Sequence, residues 1–127
     1  MSAIKVNVHR QPMPHGQEDC YRARVTNYSR LDANDVIRRV SRNTGFSEPM
    51  LKGAVAALEQ ELTQMMLNGH IVDFGDLGTF RVSVSCHAPS RRDKVDASCV
   101  RRRRIIFSPS SRLRESLQDV EFEGFGE

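Results

Sequence analysis

The chain has no tryptophan and only two tyrosines, and aromatic residues make up 6% of its 127 positions. Proteins that grip single strands commonly stack bases on aromatic rings, so this poverty argues against single-stranded RNA or DNA as the ligand. No apolar run approaches the roughly 18 residues of a membrane span. The start, Met1-Ser2-Ala3-Ile4-Lys5-Val6, lacks the apolar stretch of a signal peptide. A soluble, intracellular protein without a membrane partner is therefore expected. Cys20, Cys86 and Cys99 are odd in number and have no close paired spacing, which fits ordinary thiols in a reducing compartment better than a disulfide framework. Cys86-His87 with Cys99 imitates part of a zinc site, but a fourth ligand and tight spacing are missing, so no metal is expected.

Catalytic devices are equally scarce. The Walker Gly-Lys-Ser/Thr pattern is absent, so Gly75 and Gly78 read as backbone-turn residues and not as a phosphate cradle. Asp73 and Asp76 flank that turn with no base, nucleophile or oxyanion device beside them. An enzyme is not expected, nor are a cofactor and a small-molecule substrate. Internal repeats and low-complexity linkers are also missing. At this length one domain with a modest core is the default, and small domains often dimerise to bury more surface.

What is present is a lopsided charge. The formal net is +3, but Arg81 to Arg114 holds ten Lys or Arg and two acids, a net of +8, while the remainder holds nine bases and fourteen acids, a net of −5. Such segregation suggests a localised polyanion-binding surface. From Glu115 to Glu127 there are five acids and no base. This tail is not expected to touch phosphate.

Periodicity places the elements. Ile4, Val6 and Val8 alternate with Lys5, Asn7 and His9; a polar stretch from Gln11 to Gly16 interrupts; Tyr21, Ala23 and Val25 alternate again, predicting two strands joined by a loop. Asp32 is placed to cap a helix carrying Val36, Ile37 and Val40, with Asp35 in its first turn and Gly45 as its stop. Ser47 caps a second helix that tolerates Pro49 in its first turn, carries Leu51, Val55, Leu58, Leu62, Met65 and Met66, and ends near Asn68-Gly69. The Met65-Met66 and Leu58-Leu62 stripe reads as dimer and domain core. Period two then returns: a Gly-rich turn leads into a strand with Phe80, Val82 and Val84 on one face. Cys86 to Val100 reads as an exposed arm or loop, and Arg101-Arg102-Arg103-Arg104-Ile105-Ile106-Phe107 as the returning strand. Arg103 shares a face with Ile105 and Phe107, while Arg102 and Arg104 point the other way, so any bulge decides which arginines meet a ligand. Leu113, Leu117 and Val120 suggest a last helix starting near Ser110 or Ser111.

The order of Gly45-Phe46-Ser47 between helices, Asn68-Gly69 after the second, Leu77-Gly78-Thr79-Phe80 in the hairpin and Phe107-Ser108-Pro109 before the last helix resembles the bacterial histone-like HU and integration-host-factor family. The resemblance covers roughly Asp32 to Val120, and the added strands at Ile4 to Val25 look like the divergent HU-like branch of Bacteroidetes-type bacteria. It implies an α+β fold: a helical base plus an antiparallel sheet with an extended β-arm, preceded by an N-terminal strand pair. The divisions expected are an extension over residues 1–30, an HU-like DNA-binding domain over 31–120 with its arm at about 85–101, and an acidic tail over 121–127. The resemblance further implies a cytoplasmic, nucleoid-associated homodimer that embraces double-stranded DNA through the minor groove with little base-specific readout. Arg81, Arg91, Arg92, Lys94, Arg101, Arg102, Arg103 and Arg104 would then contact phosphate and groove, with Arg112 and Arg114 reaching the backbone beside the base.

Two departures matter. HU-like arms usually carry an Arg-Asn-Pro segment whose proline wedges between base pairs, but here Cys86-His87-Ala88-Pro89-Ser90-Arg91-Arg92-Asp93-Lys94 is shorter, and Pro89 does not inherit that role. Ser108, Ser110 and Ser111 stand where the family has basic residues and a glycine around Phe-x-Pro-Gly. Both changes weaken the expectation of strong DNA kinking. The competing expectation is a dimeric scaffolding module of the same fold that has lost DNA bending and uses the added strands and acidic tail as partner surfaces.

Overall fold

The computed structural model describes residues 3–26, 29–87, 92 and 95–126. Strands β1 (Ala3–Gln11) and β2 (Cys20–Val25) come first, followed by helices α1 (Ala33–Thr44) and α2 (Glu48–Leu67). Then come β3 (Val72–Asp73), β4 (Gly78–Cys86), a short 3-10 turn at Ala97–Cys99, β5 (Val100–Pro109), α3 (Ser111–Gln118) and β6 (Glu121–Glu123). This is the expected α+β architecture, strand pair included.

Helix boundaries follow local chemistry. Asp32 accepts from the Asp35 amide at 2.9 Å and Asp35 accepts from the Asp32 amide at 3.0 Å, a reciprocal capping box at the start of α1. The Asp32 amide, more than the neighbouring Arg38, holds the Asp35 carboxyl below its ordinary range. Gly45 ends α1 at φ +83°, donating its amide to Ser41. Ser47 caps α2 through the Met50 amide at 3.2 Å. In α2 the predicted apolar stripe divides: Leu51, Val55, Leu62 and Met66 are half-buried, whereas Leu58 and Met65 face solvent.

The strands form two three-stranded sheets. One has the order β3-β4-β5 and is antiparallel throughout. The other, β2-β1-β6, pairs β1 antiparallel to β2 and parallel to β6. The sequence reading puts residues 121–127 in an acidic tail and carries no strand there, yet Glu121, Phe122 and Glu123 register against Ala3, Ile4 and Lys5. Three residues of alternation are too short to stand out from the acidic composition. Only a partner strand makes them legible.

Little is buried within one chain. Val6, Ile37 and Cys99 are the buried hydrophobic residues among those described, and none of the large side chains is fully enclosed. The accessible surface is 11102 Å², whereas a compact monomer of 14.4 kDa exposes about 6800 Å². The extended strands account for part of the excess. Apolar side chains that a single chain leaves open, including Leu58, Met65, Leu67 and Ile71, add to it.

Candidate nucleic-acid interface

The arm is built from the β4 and β5 ladder. Phe80 pairs with Phe107, Val82 with Ile105 and Val84 with Arg103, and opposite residues of a ladder share one face. The Phe80 and Phe107 rings meet with centroids 5.0 Å apart, anchoring this apolar side at the end nearest the helices. The other face pairs Arg81 with Ile106, Ser83 with Arg104 and Ser85 with Arg102. Arg81, Arg102 and Arg104 therefore project together from a face that also carries Ser83, Ser85 and Ile106. All three are exposed.

A register shift between Ser85 and Cys86 sets the remaining arginines. Ser85 pairs with Arg102 but Cys86 with Val100, so Arg101 is the extra residue and has no ladder partner. Arg103 emerges on the apolar face beside Val84. Arg92 is exposed in the connection, while Arg91, Lys94 and Pro89 lie outside the described residues. The described cations of the arm thus divide into a shared row of three, a bulged residue, one on the reverse side and Arg92 in the connection.

The expectation of three ordinary thiols is corrected at this bulge. Cys86 and Cys99 form a disulfide with their α-carbons 5.0 Å apart, leaving Cys20 as the free cysteine. The 13-residue separation gave no paired spacing to read; the ladder folds it back until the two meet, with the His87 amide donating to the Cys99 carbonyl at 3.2 Å. Bonded to each other, these sulfurs cannot serve as thiolate metal ligands. No group of three or more metal-binding side chains occurs among the described residues. Next to the bridge Asp96 caps the short turn, and the Ser98 hydroxyl and amide hold its carboxyl below the ordinary range.

At the base, Ser110 has a structural task. Ser110 caps α3 through the Leu113 amide at 3.0 Å, its own amide donates to the Leu77 carbonyl at 3.1 Å, and its hydroxyl donates to the Asp76 carbonyl. Arg112 donates to Asp76 at 3.0 Å. Both partners of that ion pair are 76% exposed, so it contributes at most about 1 kcal/mol and leaves Arg112 able to exchange partners. Arg114 is exposed on α3 and lines an apolar hollow of about 440 Å³ with Phe107, Pro109, Leu113 and Leu117. The part played by Asp76 was hidden in the sequence because its partners lie 34 and 36 positions away.

Comparison with known proteins decides the family. The model of HU-HIG, described as an HU domain fused to wHTH, Ig, or glycine-rich motif, matches residues 1–124. The chain belongs to the HU-HIG family. Because the match takes in the first strands as well as the helices and arm, the HU-HIG assignment agrees with a divergent, Bacteroidetes-type HU-like protein carrying an N-terminal extension. Two solved structures share the fold. One, from Bacteroides vulgatus ATCC 8482, is described as a candidate bacterial DNA binding protein; it is 15% identical with a TM-score of 0.71, over 100% of this chain and 50% of its own. The HU-HIG chain thus spans half the length of that relative. The second, a point variant of HU from Thermotoga maritima, is 17% identical with a TM-score of 0.51, over 68% of this chain and 99% of its own. Neither the family nor these relatives are enzymes. No curated protein matches the sequence.

Proposed function

We propose that this HU-HIG chain is a non-enzymatic, sequence-tolerant binder of double-stranded DNA that acts as a homodimer in the nucleoid. The observation that carries the reading is the row of Arg81, Arg102 and Arg104 on one face of the arm, with Arg102 and Arg104 opposite Ser85 and Ser83. Guanidinium groups held on a stiff ribbon meet successive phosphates, and each neutralised phosphate releases condensed counterion. Contacts of this kind orient the protein without reading bases. The small side chains of Ser83 and Ser85 leave room beside Arg102 and Arg104 for close approach to a groove. In this reading Arg101 and Arg92 extend the same contact along the arm, Arg112 and Arg114 extend it along the base, Arg91 and Lys94 serve as further phosphate contacts, and Arg103 serves only if the arm twists. The open stripe of Leu58 and Met65 supports a second copy as the missing half of the core.

No helix among the described residues is long and apolar enough to cross a membrane, and the proposed site of action is the cytoplasm. The test is fluorescence anisotropy on a random-sequence duplex of about 30 base pairs across a salt series, comparing wild type with R102E/R104E. We expect affinity to fall at least tenfold in the variant with the mass by light scattering unchanged. Equal affinity would move the binding surface off the arm, and no binding by wild type at low salt would turn the arm into a protein-contact surface.

A further inference from the structure

The N-terminal sheet has two unlike faces. In the β1 and β2 register Asn7 lies opposite Arg24 and His9 opposite Arg22, so these four side chains share a face. All four are exposed. Ile4, Val6, Val8, Ala23 and Val25 occupy the reverse face. Arg10 also belongs there, and its charge is taken up by Asp19, to which its Nε donates at 2.7 Å. Arg22 and Arg24 have no such acid: among the described residues neither makes an ion pair. They border a shallow depression of about 340 Å³ with His9, Gln11 and Pro12. Charge also runs across this face. Glu121 and Glu123 lie on the far edge in β6, with Lys5 opposite Glu123, so the β6 side is acidic and the β2 side basic.

We infer that the β2 edge of this face is a second phosphate-binding surface, which lengthens the footprint on duplex DNA beyond the arm. The inference rests on the DNA-binding reading above. Arg22 and Arg24 are two residues apart on one strand, about 6.7 Å, and present two guanidiniums in line along it. Asn7 and Gln11 add uncharged donors of the kind that commonly bond phosphate oxygens, and His9 adds a ring N–H. The face offers phosphates charge without an apolar pocket in which a peptide side chain could seat. Its acidic far edge repels a polyanion and confines it to the β2 side.

The test uses the full chain, with anisotropy on duplexes of about 15 and about 50 base pairs across a salt series. R22Q/R24Q should bind the long duplex about fivefold to tenfold more weakly than wild type, with a log-log salt slope shallower by about 2, and should bind the short duplex as wild type does. R22K/R24K should retain long-duplex binding, because charge is kept. If R22Q/R24Q matches wild type on both duplexes while R102E/R104E is defective, this inference fails and the arm reading stands. An equal loss in R22K/R24K overturns it as well, by assigning the two arginines a packing role. If wild type binds neither duplex, the arm reading fails and this one falls with it.

Discussion

Gly78 shows how one residue determines whether the arm can form. It opens β4 at φ +149°, and a β-carbon placed there would lie 2.3 Å from the Ser108 carbonyl oxygen and 2.9 Å from the Phe107 ring. Both the backbone conformation and the space exclude a side chain. Gly78→Ala should cost at least about 2 kcal/mol, read as a lower denaturant midpoint with unchanged slope. A wild-type midpoint would mean that β4 and β5 separate here at no cost. At the same scale, the turn glycine was legible in Leu77-Gly78-Thr79-Phe80, as were the caps at Asp32 and Ser47, whereas the last helix was placed only as starting near Ser110 or Ser111. Those are short-range patterns whose donor and acceptor lie within three residues. The Ser110 contact with Asp76 was not legible, because a partner 34 positions away leaves no local trace.

At the scale of the element, the arm joins a ladder, a bulge and a disulfide. The bridge closes a separation of 13 residues, and a constraint of that length stabilises by about 3 kcal/mol through the unfolded chain. C86S/C99S should therefore lose about 3 kcal/mol of stability in denaturant melts under oxidising conditions and match the reduced wild type. Intact-mass measurement after alkylation offers a separate check, since wild type should take up label at Cys20 alone. Labelling of all three cysteines in the native protein would overturn the bridge. Strand alternation already separated Arg102 and Arg104 from Arg103. That Arg101 stands outside the ladder became known only from the register, since nothing in four consecutive arginines marks which one is extra.

At the scale of the whole molecule, the exposed surface is the governing quantity. It exceeds that of a compact monomer by roughly 4300 Å². Obligate dimers bury areas of about 2000 to 5000 Å² or more in total, so a second chain is a sufficient sink for the open apolar stripe on α2. Leu58 is 46% exposed in the single chain. Leu58→Asp should weaken self-association at least tenfold, seen by light scattering as a shift toward monomer mass together with loss of helical circular dichroism. A variant that keeps dimer mass and helicity would place the interface elsewhere.

The sequence by itself determined the helices, most of the strands, the caps of α1 and α2, the basic arm and the family likeness, because each rests on contacts a few residues long or on composition along a continuous stretch. Tertiary structure decided what long-range pairing alone can decide. It joined Cys86 to Cys99, set Arg101 outside the ladder, drew Glu121–Glu123 from an apparent tail into the N-terminal sheet, and brought Arg22 and Arg24 onto one face with Asn7 and His9. Strand register is the common cause. A shift of one residue reverses every side chain, and only the partner strand fixes it.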